Sequence, residues 1–298
     1  WNVALTIFNL CLISAIMSLG VNIQWGYAGL FNAGVMGFAA LGGLAAIIIS
    51  SSPVAATWEA GGMRAILGLL AGLFAIIIGI FTWKKTVTLE KKRYWPTMVV
   101  AVVGYALMRL IIDPAISTIE AIEPAKTGYL GGFNQPILLS WLVGGIFAAA
   151  AAWVVGKIAL GLRSDYLAIA TLGISEIIIY FLKNEDWLTR GVKNVTGLPR
   201  PVPYEIALQQ TAWLQSWTDN FGLSIIETSS ILVKLSYAGL FATVLVIILW
   251  LSETALRSPW GRMMRAIRDN EVAASAMGKN VTWRHLQVFV LGSAVIGM

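Results

Sequence analysis

The chain has 298 residues, of which 58% are hydrophobic and only 12% charged, and a formal net charge of +6. Soluble domains carry about 25% charged residues, whereas residues 1–58 here contain no Asp, Glu, Lys, Arg or His at all. No water-facing surface can be built over such a stretch, so a soluble enzyme is excluded. The basic excess reports membrane topology rather than a nucleic-acid partner.

A helix rises about 1.5 Å per residue, so crossing the hydrocarbon core takes roughly 20 apolar residues. The apolar runs are continuous rather than short and alternating, which argues against a β-barrel. In chain order the predicted spans are 3–19, 33–50, 65–83, 96–112, 136–156, 166–182 and 231–251, followed by a last run at 286–298. That last run is cut off after 13 residues, too short to cross, so the chain is expected to be a fragment lacking its final helices. The fold class is an all-α polytopic membrane protein of about seven to eight transmembrane helices. The opening run lacks the charged start and cleavage site of a signal peptide. A single cysteine, Cys11, offers no disulfide framework.

Lys84, Lys85, Lys91, Lys92 and Arg93 fall in one loop, and Lys157 and Arg163 in the next on that side. Arg257, Arg262, Arg265, Arg268, Lys279 and Arg284 fall in a third. Together these loops hold 13 of the 21 basic residues, while the opposite loops hold nine acids against six bases. The positive-inside rule therefore makes 84–93, 157–165 and 252–285 cytoplasmic, and 183–230 a long external loop.

The stretch from Gly20 to Gly37 interleaves Gly26, Gly29 and Gly34 with Asn22, Gln24, Tyr27 and Asn32. Irregular backbone at membrane depth is tolerated where protein buries it or where it lines a cavity. Two readings stand: a translocation pathway, or small residues permitting close helix packing, as expected for Gly68-x-x-x-Gly72. Glu176 lies well inside a span, where a carboxylate is either functional or held by a structural hydrogen bond. Arg109, near the end of its predicted span, can snorkel and receives no role. Asp165 can cap the start of the next span.

The loop at 252–285 is patterned. Trp260, Met263, Met264 and Ile267 form one helical stripe with Arg262, Arg265 and Arg268 on its flank. Asp269 or Asn270 can cap a second short helix over 271–277, Gly278 suits its left-handed end, and Thr282 can cap the final run. Pattern alone is equally compatible with a helix lying on anionic lipid.

The segment Asn270-Glu271-Val272-Ala273-Ala274-Ser275-Ala276-Met277-Gly278 resembles the EAA loop of bacterial ABC importer permeases. The overlapping stretch Ser258-Pro-Trp-Gly-Arg-Met-Met-Arg-Ala-Ile-Arg-Asp-Asn-Glu271 resembles the form of this loop in the branched-chain amino-acid group. So do Leu162-Arg-Ser-Asp165-Tyr166-Leu-Ala-Ile-Ala-Thr171-Leu-Gly173-Ile-Ser-Glu176 and Gln24-Trp25-Gly26-Tyr27-Ala28-Gly29-Leu30-Phe-Asn32-Ala-Gly34. Val35-Met36 stand where that group often has a His.

The resemblance implies a single permease domain over 1–298 in a bacterial plasma (inner) membrane. It also implies transport of Leu, Ile or Val, driven by cytoplasmic ABC ATPase subunits, alongside a second homologous permease and an external substrate-binding protein. Glu271, Ala273, Ala274 and Gly278, with Arg265 and Arg268, would couple to the ATPase. On the pathway reading of the glycine-rich stretch and the in-span carboxylate, Asn22, Gln24, Gly26, Tyr27, Gly29, Asn32 and Glu176 would line the translocation route. No G-x-x-x-x-G-K-[ST] phosphate loop is present, and one His and one Cys make no catalytic or metal set, so no cofactor is expected on this chain. ATP belongs to the partner. The alternatives are a urea or short-amide importer permease, a secondary transporter or channel, and a membrane-embedded enzyme.

Overall fold

The computed structural model describes residues 1–85, 94–123, 128–162, 164–222 and 224–298. Lys91, Lys92, Arg93 and Arg163 lie outside the described residues, as does the side chain of Asp165 with its expected cap. Among the described residues every regular element is helical. In hydrocarbon each backbone N–H and C=O must be satisfied within its own segment, and a helix does this locally.

The elements in order are α1 (Asn2–Ala28), α2 (Val35–Ser50), α3 (Ala55–Thr57) with a π-helical turn (Trp58–Gly62), α4 (Met63–Lys85) and α5 (Tyr94–Ala121). Then come α6 (Ile137–Ala159), α7 (Ser164–Asn184), α8 (Asp186–Thr189), α9 (Glu205–Gln209) and α10 (Ala212–Phe221). The chain ends with α11 (Ile225–Arg257), α12 (Pro259–Asp269), α13 (Glu271–Ala276) and α14 (Val281–Gly297). Six helical stretches are long and apolar enough to cross a membrane: α1, α3 through α4, α5, α6, α7 and α11. Helix α2 is apolar but shorter.

Contacts divide the chain into two compact units, 1–50 with 135–181 and 197–298, and 51–134 with 182–196. In the first unit α2, α6 and α14 converge on glycines. A Cβ on Gly42 would lie 2.3 Å from the Gly297 carbonyl oxygen, and one on Gly144 would lie 2.5 Å from it. Such small-residue crossings let backbones approach, which is how helices gain packing energy when lipid removes the hydrophobic drive. Helix α1 packs on α14 in the same manner, since a Cβ on Gly20 would meet Ile296 Cγ1 at 2.7 Å. The core at this junction includes Phe38 and Phe289, whose rings meet edge to face at 5.9 Å.

In the second unit α4 and α5 form an antiparallel pair. Gly68 and Gly72 face Ile112 and Met108, at 2.8 and 2.7 Å from the positions a Cβ would take. The packing role expected for this pair of glycines is therefore observed. Trp58 Nε1 donates to the Leu130 carbonyl at 2.9 Å, and Leu130 N donates to the Trp187 carbonyl at 3.0 Å.

Helix α5 departs from its expected end at residue 112. It runs on through Pro114 to Ala121, so Arg109 is not terminal and instead pairs with Asp113 at 3.1 Å, one turn away. An i, i+4 ion pair satisfies the guanidinium within the helix, so snorkelling past the helix end is not needed.

Candidate functional site: a buried helix break and a capped helical module

Helix α1 ends where the sequence turns glycine-rich. Gly29 adopts φ 71°, a left-handed cap whose N–H donates to the Trp25 carbonyl at 3.0 Å. Residues 29–34 then cross to α2 as irregular backbone, with Leu30 N donating to the Gln24 carbonyl at 3.1 Å. Beyond Leu30 the polar groups are met by side chains. Asn32 Nδ2 donates to Gln24 Oε1 at 2.8 Å, and Gly34 N donates to Asn32 Oδ1 at 2.9 Å. Ala33 N donates to Thr171 Oγ1 at 3.1 Å, and Gly37 N donates to Ser175 Oγ at 2.7 Å. Gln24, fully buried, donates through Nε2 to the Phe289 carbonyl and to Ser293 Oγ, both at 2.9 Å.

The break between α1 and α2 is thus covered by protein from α7 and α14. Gln24 and Asn32 are spent on holding it, and Asn32 is only 4% exposed. Gly26 is partly buried against Asn22, whose own side chain is otherwise exposed. Tyr27 borders an apolar cavity of about 210 Å³ walled by Ile248, Trp260 and Leu291. Glu176 is exposed, one residue beyond the buried Ser175, and makes no hydrogen bond among the described residues. Neither Thr171 nor Ser175 stands out in the sequence as a site residue. Their i, i+4 spacing inside an apolar span is the signal that marks them.

The second cluster is the loop after α11. Ser258 caps α12, its Oγ accepting from Gly261 N, with Pro259 in the first turn. The stripe is observed: Met264 and Ile267 are 0% and 1% exposed, and Trp260 and Met263 pack on the same core. Because protein covers this face, α12 does not present it to lipid. Asn270 caps α13, its Oδ1 accepting from Ala273 N at 2.9 Å, and Gly278 ends the module at φ 77°. Helix α13 stops at Ala276, one residue earlier than expected. The cap of α14 is Asn280, which accepts from Trp283 N at 3.0 Å. Thr282 lies inside the first turn instead, because the last non-helical residue before the run is Asn280.

The flanking arginines close helix ends. Arg265 Nη2 donates to the Leu256 carbonyl at 3.0 Å and Arg262 Nη1 to the Arg257 carbonyl at 3.2 Å, both at the end of α11. Arg268 Nη1 donates to the Gly26 carbonyl in the last turn of α1. Carbonyls in a final turn lack intrahelical donors and carry the negative end of the helix dipole, so guanidinium groups suit them. Of the remaining module residues, Ala274 is buried at 8% exposure, while Glu271 and Ala273 are exposed. Val272 and Met277 are each 80% exposed, the first inside α13 and the second at its C-cap.

Helical spans, a protein-covered break and an exposed helix–turn–helix anchored to two spans define a polytopic membrane protein. The family model described as "Branched-chain amino acid transport system / permease component" matches residues 97–298, and the chain belongs to that family. It is 31% identical over 159 residues to the high-affinity branched-chain amino acid transport system permease protein LivM of Escherichia coli K12, and 30% identical over 157 residues to that of Salmonella typhimurium. A probable LivM of Methanocaldococcus jannaschii is 24% identical over 158 residues. The matches cover 52%, 51% and 53% of this chain and 36% of each relative, so the chain spans little more than a third of the relatives' length. No solved structure matches it.

Proposed function

We propose that this chain is the transmembrane permease subunit of an ATP-driven ABC importer for branched-chain amino acids, set in a bacterial inner membrane. Its relatives carry that transport system in their names. A cytoplasmic ATPase pair, a second homologous permease and an external substrate-binding protein complete the assembly. The basic loops, 252–285 among them, face the cytoplasm.

The observation that carries this reading is the α12–α13 module. A short helix capped at both ends, with Val272 and Met277 exposed, offers an apolar contact to a partner. Its base is bonded to α1 through Arg268 and to α11 through Arg265, so a displacement of α13 reaches two spans. A secondary transporter or channel has no use for such a device. Energy enters from the ATPase, α13 moves, and the spans alternate access.

The test is co-purification of the ATPase subunits with the permease complex in detergent. Val272→Asp and Met277→Asp are expected to lower ATPase recovery at least five-fold while the permease remains folded. Full recovery with both substitutions contradicts the assignment.

A further inference from the structure

Beside the base of α13 lies a cavity of about 520 Å³ within the first compact unit. Its wall includes Arg268 and Glu271 of the module, His285 of α14 and the aliphatic side chains of Leu30, Leu160 and Leu167. His285 is only 8% exposed and makes no hydrogen bond among the described residues, and it borders this space. Arg268 uses one donor on the Gly26 carbonyl, leaving the rest of a five-donor fork. No ion pair joins Arg268 to Glu271 among the described residues.

One cavity therefore presents a guanidinium, a carboxylate, an imidazole and an aliphatic wall. A simple anion meets Glu271, and a simple cation meets Arg268, so each is opposed by one like charge. A zwitterion with a hydrocarbon side chain satisfies all of the wall: carboxylate on Arg268, ammonium on Glu271, side chain against the leucines. We propose that this cavity is a regulatory binding site, on the side of the coupling module, for a free aliphatic α-amino acid. The inference rests on the importer reading, under which this side is the cytoplasm and the ligand is the transported product. Bound there, the ligand bridges Arg268, which is tied to α1, and Glu271, which opens α13. It favours the state in which the module is held, so accumulating product slows further import.

Gly161 also borders the cavity, and a Cβ added there meets no atom within 4 Å. A large side chain at this position fills the space without displacing backbone. The experiment uses the complete complex in vesicles loaded with ATP, with the external binding protein and labelled leucine outside. Initial uptake is measured with unlabelled leucine, glutamate or isoamylamine in the lumen. Luminal leucine is expected to slow uptake at least five-fold, the other two are not, and Gly161→Phe is expected to import at the basal rate regardless. Uptake indifferent to luminal leucine, or equal inhibition by isoamylamine, which lacks the carboxylate, overturns the site while leaving ATP-driven import standing. An absence of leucine uptake in any condition sinks the importer reading instead. The site is then read by equilibrium dialysis of leucine against the complex without its external protein. Retention that Gly161→Phe abolishes supports it, and no retention overturns it.

Discussion

Gln24 shows how one side chain holds a break in the membrane. It bridges the α14 carbonyl of Phe289, Ser293 and Asn32, so its loss leaves several buried polar groups unpaired at once. Gln24→Leu is expected to destabilise the protein by about 2–3 kcal/mol, read as a lowered Tm in detergent; an unchanged Tm contradicts the structural role. His285 carries a pH dependence. Burial pushes its imidazole below the ordinary 6.5, with the Glu271 carboxylate opposing and Arg268 bordering the same cavity. The folded state then binds fewer protons than the unfolded one just below 6.5, so this contribution is complete above 6.5 and lost as pH falls through the depressed value. Tm is expected to fall on acidification below 6.5, and His285→Gln to flatten part of that fall. Little of this was legible in the sequence. Gln24 and Phe289 are 265 residues apart, and Arg268 and Gly26 are 242 apart; no local pattern encodes such pairs. What was legible is that Gln24 and Asn32 sit polar in an apolar run; which of pathway or scaffold they serve depended on where α14 falls.

At the scale of elements, hydropathy located the spans but not their ends. Helix α1 continues to Ala28 rather than 19, and α11 begins at Ile225 rather than 231, because a helix continues past the hydrocarbon as long as its backbone is uninterrupted. The loop at 183–230 concealed α8, α9 and α10, which are too short to announce themselves by periodicity. The α12–α13 module was more legible, since caps are local: Asn270 and Gly278 hold the positions their residue types suit. Gly278 has open space where a Cβ would sit, so any penalty there comes from its backbone angle alone. Gly278→Val is expected to cost about 1–3 kcal/mol locally and reduce ATPase coupling, whereas Gly278→Asn, tolerant of that region, retains most of it. The measurement is ATPase stimulation in the assembled complex, and equal losses for both variants contradict the cap assignment.

At the scale of the molecule, Glu176 asks what surrounds this chain. An ionised carboxylate facing lipid at the centre of a span costs about 2.5–3.5 kcal/mol, and the described residues give it no partner. In the proposed assembly, this face of α7 would meet an aqueous pathway or the second permease. Glu176→Gln is expected to alter transport with the Tm nearly unchanged; a large fall in Tm with normal transport assigns it a purely structural role. In the proposed assembly, motion of α13, driven by an ATPase on a separate chain, moves substrate through these spans. It is tested most directly by leucine uptake into vesicles holding the full complex, with ATP or a non-hydrolysable analogue, for the native chain and for Glu271→Ala and Gly278→Arg. The expected result is uptake that requires hydrolysable ATP and falls at least ten-fold in both variants. Uptake that proceeds without ATP, or that survives both substitutions unchanged, contradicts the account.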